Sequence, residues 1–519
     1  MDKLLGFGVK NLRSLEDTGL VKVKPLTILV GRNSAGKSTF ARTIPLLRQT
    51  SMENKREPIL WWGNLVDFGS FAESVNKKCL RQEIEFDFEL EMDSSSDGMI
   101  FETSNYFIEL PDNRTSLAKV GISIAQSAAG KLSEHRSISI KMGNDSYGIN
   151  FEAGKVASIE INNYKWIPNS SLRQTISLDS LIPTLEFHQP RRIAVKEGEV
   201  QAYVRHDPHI NNVLSFVRNA SFFHGNSSRD AIVDVLAQLD PGTPENLLAT
   251  MKSVINAPQT WKLRVAILTT GNYDFIRFRN LLLAVNLNGI LRSINRIIVG
   301  FVTQSTYLEP LRATAERYYR KQSLSVAEVD SKGANVPFFF DSLSQFEKNR
   351  FNEWMQEHLN ASISAESEGG HLSLKLKDSS GIEANLADVG FGFSQVLPIA
   401  LQLWHSADNS NSSTKRNTVR STVVIEQPEL HLHPEYQAKL ADLFVSAIEK
   451  APLNLIIETH SSSIINRLGI LISKKRLDPE SVQILRFERQ EGDFHTTVKK
   501  SEFSEKGQLK DWPYGFFDA

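Results

Sequence analysis

The residues Gly31-Arg32-Asn33-Ser34-Ala35-Gly36-Lys37-Ser38-Thr39 set glycines, a lysine and two hydroxyls at the spacing GxxxxGK[ST]. Glycines at the turn let main-chain N–H groups face a common anion. Lys37 adds a charge that reaches β- and γ-phosphates, and Ser38 offers an oxygen to Mg²⁺. The apolar run Leu26–Val30 feeds this turn, and Phe40, Ile44 and Leu47 give the residues after it helical spacing. Strand, glycine turn and helix are the context the motif requires. The expected ATP-binding set is Gly31, Asn33, Ser34, Ala35, Gly36, Lys37, Ser38 and Thr39.

A second group lies far along the chain. Thr422-Val-Val-Ile425 reads as a buried strand that ends in Glu426-Gln427-Pro428-Glu429. A carboxylate there can hold Mg²⁺ through water or activate the attacking water, which makes Glu426 a candidate metal-site residue beside Ser38. His431 and His433 alternate with leucines and lack a third ligand, which argues against zinc. Ala387–Gln395 puts Gly390, Gly392, Ser394 and Gln395 at the start of an apolar helix, a second anion-binding composition. Leu455-Ile-Ile-Glu458-Thr459-His460 is another buried strand, and it ends in a histidine placed to sense a γ-phosphate.

The order of these motifs resembles the ABC-ATPase head of structural-maintenance-of-chromosomes, DNA-repair and OLD-like ATPases. The resemblance implies an α/β fold, a P-loop with a mixed sheet and flanking helices, split by a long β-strand and helical insertion. It implies a head-to-head dimer, or a higher even oligomer, with ATP and Mg²⁺ between subunits. It makes Gly390–Gln395 a degenerate signature that contacts the opposite subunit's nucleotide, Glu426 the Mg²⁺-associated acid and His460 the switch histidine. One departure bears on catalysis: Gln427 stands where the family's catalytic acid is expected. Glutamine orients water but cannot take its proton, so hydrolysis is expected to be slow or conditional. Glu429 is the available substitute, and the sequence leaves the choice between Gln427 and Glu429 open. The Q-loop candidates are Gln49 and the Asp67–Ser70 region.

A narrower likeness rests on Leu65–Phe71, Tyr307–Ala313 with Glu316–Tyr319, IEQPELHLHP at 425–434 and DWPYGFFD at 511–518. These segments are similar to the stand-alone OLD-like ATPases that include the Septu-type (PtuA) anti-phage defence group. That likeness implies a separately encoded HNH-type, PtuB-like nuclease as partner, in some systems with a retron reverse transcriptase complex. The stretch after His460 is too short for a Toprim nuclease domain, and the LSGGQ spelling of transporters is missing. The competing reading is a repair-type ATPase acting directly on DNA or RNA, with Arg312, Arg317 and Arg320 as a phosphate-binding face.

The elements that must position these residues follow from patterning. A chain of 519 residues needs more than one core. Lys+Arg 59 against Asp+Glu 60 gives a net charge of -1, so bulk charge makes no case for nucleic acid. The one cysteine, Cys79, rules out an internal disulfide. With no signal-like N-terminus and no long apolar run, a soluble cytoplasmic protein without membrane contact is expected. Residues 1–91 read as one lobe of the head, with strands at Leu5–Phe7 and Leu26–Val30 and a helix over Lys37–Arg48. Alternation in Glu83–Glu91, Ser137–Ile140 and Ser158–Ile161 predicts antiparallel strands, and 92–205 reads as a mainly β extension. Helical spacing in Asn211–Arg218, Asp230–Leu239, Pro244–Ile255 and Asp274–Ile298 predicts a helical insertion over 206–320. Residues 321–519 read as the second lobe, interrupted by a polar loop at Asp408–Thr418.

Overall fold

The computed structural model describes residues 2–93, 115–128, 130, 132–195, 198–322, 326–378, 380–389, 391–411, 420–489 and 495–513. They form two compact units. One comprises Gly8–Met52, Leu60–Leu80 and Gly300–Ala519; the other comprises Met1–Phe7, Glu53–Ile59 and Arg81–Val299. The expected β extension falls in the second of these, with the expected helical insertion as far as Val299; residues 300–320 belong to the first.

In the first unit the P-loop strand Leu26–Gly31 lies at the centre of a mixed sheet. It pairs in parallel with Leu453–Glu458 on one side and Val482–Arg489 on the other. The order continues from Leu453–Glu458 through Ser421–Glu426 to Ser305–Leu308, all parallel, while Thr496–Phe503 returns antiparallel to Val482–Arg489. The inner strands are buried throughout, which is why they read as near-continuous apolar runs (LTILVG, LNLIIE) without alternation. Helices Phe391–Asn411, Pro434–Lys450 and Ser462–Ser473 pack with the sheet in one apolar core, through residues such as Leu401, Phe444 and Leu468.

Two boundaries differ from the sequence reading. The helix expected over Lys37–Arg48 forms as Lys37–Ala41 and Thr43–Met52. Pro45 lacks an N–H, so the Ala41 carbonyl finds no i+4 donor and the ladder is interrupted there. The insertion's helices end at Thr303, and Ser305–Leu308 is already a strand of the sheet.

The second unit combines a β meander with a helical cluster. Strands Glu83–Asp93, Thr115–Gln126, Ser133–Met142, Asp145–Glu152, Lys155–Ile161 and Tyr164–Trp166 pair antiparallel in sequence order. Helices Pro208–Asn219, Arg229–Leu236, Pro244–Ser253, Gln259–Ala266 and Tyr273–Val285 gather around Trp261, Phe222, Phe275 and Phe278. Arg279 fastens this cluster to the meander by a bidentate pair with Asp145, 2.6 Å at both contacts. The stretch expected as one helix from Asp274 is two, bent by 49°. Among the described residues no single helix is long and apolar enough to cross a membrane.

Candidate nucleotide site

Backbone conformation alone explains several residue types in the P-loop. Gly31 has φ 154°, and a Cβ there would lie 2.4 Å from the Phe487 carbonyl oxygen of the neighbouring strand. Gly36 has φ 87°, where a Cβ would meet Leu15 Cδ2 at 2.7 Å. Ser34 takes the left-handed conformation as well, at φ 60°. Arg32, Asn33 and Ser34 form the exposed tip of the turn, whereas Ala35, Gly36, Lys37 and Thr39 are buried. The Lys37 ammonium donates to the carbonyls of Gly31 (3.0 Å) and Arg32 (2.9 Å), so it curls back under the loop. Burial lowers its pKa, with Glu458 and Glu429 opposing that shift.

Two carboxylates close the floor. Glu426 and Glu458 end adjacent parallel strands in direct register. Ser38 Oγ donates to Glu458 Oε1 at 2.9 Å, and Lys37 Nζ is 4.0 Å from the same oxygen. Glu458 Oε2 is buried with no hydrogen-bond partner. Burial first, and the Glu426 charge second, push the Glu458 carboxyl up to about 7. Glu426, expected from sequence to face the metal, is instead gripped by Arg42. Arg42 Nε and Nη2 each donate at 2.7 Å, and the Tyr307 hydroxyl donates to Oε1 at 2.8 Å. The cause is electrostatic: two buried carboxylates side by side need a counter-cation, and the P-loop helix supplies one. A serine hydroxyl beside a carboxylate whose second oxygen is unsatisfied is a donor set suited to a hard divalent cation.

Gln427 follows Glu426 with φ 43°, and its N–H donates to the Glu458 carbonyl at 2.8 Å. The strand end is thus held in a turn that few non-glycine residues adopt. Glu429 is buried, and its Oε1 accepts from the His460 main-chain N–H at 2.6 Å. Burial raises its pKa, and the hydrogen bonds from His460 and Thr459 counter that rise. The His460 side chain stands exposed at the end of its strand. Gln427, Glu429 and His460 therefore belong to the same connected set of strand ends.

The glycine-serine segment behaves differently. Gly390 lies outside the described residues, and the helix begins at Phe391. A Cβ on Gly392 would come within 3.3 Å of Leu432 Cδ2, which ties this turn to the acidic loop. Ser394 is buried. Gln395, expected to contact nucleotide, is fully buried and turned inward. Its amide accepts from Arg312 N (3.3 Å) and donates to Arg312 O (3.2 Å). A buried amide must satisfy both of its ends, and the Arg312 main chain does so.

That contact also dissolves the expected arginine face. Arg312 is 4% exposed and donates through Nη2 to the Glu426 carbonyl at 2.8 Å. Burial brings its pKa down to about 10. Arg317 pairs with Asp388 at 2.6 Å on the exterior, and Arg320 is exposed on a short strand. The Q-loop candidate Gln49 is buried as well, and its amide bonds the main chain of Leu60, Leu65 and Val66. Ser70 caps the helix Phe71–Ser74 in a capping box with Glu73. His433 caps the helix Pro434–Lys450. Of the terminal DWPYGFFD segment, Asp511–Pro513 are described, with Trp512 packed against the core.

Arg42, Tyr307 and Glu458 are the site residues that motif reading passed over. Two had a signal. Glu458 ends its apolar run as Glu426 ends its own, and Arg42 stands four residues after Ser38 on one helix face.

Residues 305–465 match the family model described as AAA ATPase domain. Residues 477–519 match a model described as a protein of unknown function (DUF3696). No curated protein matches the sequence. Among solved structures, the chain is similar to an Smc head domain with an extended coiled coil, bound to the C-terminal domain of ScpA, from Pyrococcus furiosus. Identity is 9%, coverage 96% of each chain and TM-score 0.35. The SMC head domain from Thermotoga maritima aligns at 8% identity over 96% of this chain and 98% of that one, with TM-score 0.31. Likenesses at these scores decide nothing about the site.

Proposed function

We propose that the chain is a P-loop ATPase subunit that binds ATP with Mg²⁺, hydrolyses it slowly, and uses the nucleotide state to gate a separately encoded nuclease in anti-phage defence. The observation that carries the ATP reading is the meeting of Lys37 and Ser38 with Glu458, 2.9 Å from Ser38 Oγ, beneath the glycine turn. Lys37 exchanges its two carbonyl partners for phosphate oxygens. Ser38 and a strand-end carboxylate would hold Mg²⁺, which would supply neutralisation of phosphate charge.

Slow turnover follows from the strand end. Gln427 can orient a water but has no basic oxygen to take its proton. Glu429 can accept a proton, yet it is buried and bonded to the His460 N–H, so a water must first reach it. The gating role is supported by the segments similar to Septu-type ATPases and by an ATPase domain joined to a separate β and helical unit. Two such heads sharing nucleotide, with an HNH-type nuclease as effector, complete this reading. Direct action on nucleic acid is less well supported, because Arg312 is buried and Arg317 is paired.

The test is ATP retained and ATP turned over by purified wild type, Lys37→Ala, Gln427→Glu and Glu429→Gln. Wild type is expected to retain ATP with little turnover, Lys37→Ala to retain none, and Gln427→Glu to turn over faster. Retention by Lys37→Ala equal to wild type would sink the ATP reading. Brisk wild-type turnover abolished by Glu429→Gln would replace a held switch with a motor.

A further inference from the structure

We propose that the carboxylate ligand of the divalent cation is Glu458, and that Glu426 is the inner half of a structural ion pair with Arg42. The inference rests on the ATP-site reading above and concerns which of two neighbouring acids serves it.

The two carboxylates differ in how their oxygens are occupied. Glu426 Oε1 receives Arg42 Nε at 2.7 Å and the Tyr307 hydroxyl at 2.8 Å, and its Oε2 receives Arg42 Nη2 at 2.7 Å. This is a bidentate guanidinium pair, the strongest neutralisation a side chain can offer a carboxylate. For Glu426 to ligate a cation, the guanidinium would have to withdraw and remain as a bare positive charge near a dication. Glu458 needs no such exchange. Glu458 is 2% exposed; its Oε1 already holds the Ser38 hydroxyl at 2.9 Å, and its Oε2 has no hydrogen-bond partner. A buried carboxylate oxygen without a donor calls for a cation or a proton. The hydroxyl that the P-loop motif offers to the metal therefore touches Glu458 and not Glu426.

The arrangement also gives Arg42 a purpose. Residues Glu426 and Glu458 are register partners on adjacent strands, so both charges cannot stay buried without compensation. Arg42 neutralises one of them permanently and leaves the other for the metal. Tyr307, from the strand beyond Glu426, fixes the orientation of the neutralised acid.

The experiment measures Mn²⁺ affinity in the presence of ADP, by the electron paramagnetic resonance signal of free Mn²⁺, together with ADP affinity in EDTA. Wild type, Glu458→Gln and the paired variant Arg42→Met with Glu426→Met are compared on full-length protein. Each variant's melting curve is recorded to confirm folding. Loss of a direct ligand should weaken Mn²⁺ binding by at least about tenfold in Glu458→Gln, with ADP affinity in EDTA retained. The paired variant should keep Mn²⁺ affinity within about threefold of wild type, because charge is removed in balance. The opposite pattern, with Mn²⁺ lost in the paired variant and kept in Glu458→Gln, overturns the assignment. Wild type that binds no ADP would overturn the ATP-site reading itself, an outcome separable from either of these.

Discussion

Replacing Arg42 by alanine tests the Arg42–Glu426 pair through folding alone, without nucleotide. Glu426 is 1% exposed and takes both of its Arg42 contacts at 2.7 Å. Without Arg42 its remaining donor is the Tyr307 hydroxyl, and Glu458 lies across the strand pair. Breaking a buried ion pair from one side costs about 3–5 kcal/mol, since the surviving charge stays desolvated. The Arg42 side chain is 31% exposed, so water enters part of the space it leaves and the lower end applies, about 3 kcal/mol. For a unit of this size that corresponds to a fall in melting temperature of roughly 5 °C. Arg42→Met with Glu426→Met should melt within a few degrees of wild type. Thermal and urea unfolding of the unit that contains residue 42 give both numbers. If Arg42→Ala costs under about 1 kcal/mol, or the paired variant falls as far as the single one, the electrostatic account is wrong.

The other unit offers two independent checks. Trp261 is 1% exposed, packs 5.4 Å from Phe222 and donates its indole N–H to the Met251 carbonyl at 3.0 Å. Trp261→Ala should cost about 3–5 kcal/mol and loosen amide-exchange protection across 208–285, while nucleotide retention at the P-loop is unchanged. Burial lowers the imidazole pKa of His135 and of His209 from 6.5 to about 4. A depressed folded pKa means the folded state binds fewer protons, so this contribution is complete above pH 6.5 and is lost as pH falls through 4. The unit's melting temperature should drop across that window, and His209→Leu should flatten the slope by one proton's worth. An unchanged slope would show that His209 does not titrate on unfolding.

The legible parts of the chain were those where chemistry dictates residue type locally. The P-loop could be read because glycine at 31 and 36 is demanded by a carbonyl and a side chain that leave no room for Cβ. The parallel strands were legible as apolar runs, since burial on both faces removes alternation. What sequence could not show was how polar side chains pair across long separations. Gln395 reads as a signature residue, yet its amide meets Arg312, which lies 83 residues earlier. Arg312, Arg317 and Arg320 look like one cationic face because they are close in sequence. The chain instead folds Arg312 under the acidic strand and leaves Arg317 outside. Glu426 carries the expected acid at the expected strand end, but its carboxylate is held by a neighbour that no motif contains. Arg42 and Glu426 are 384 residues apart.

The central position of the P-loop strand has a further consequence during synthesis. Leu26–Gly31 is flanked by Leu453–Glu458 and Val482–Arg489, so both of its neighbours emerge from the ribosome long after it. Ser38 precedes its partner Glu458 by 420 residues. At about 5–20 residues per second, the apolar strand and its glycine turn wait roughly 20 to 80 seconds for the segments that cover them. Throughout that interval the nascent chain carries an uncovered β-edge at Leu26–Gly31. A chaperone has that long to find it, and nucleotide has no completed site to enter until those later segments are made.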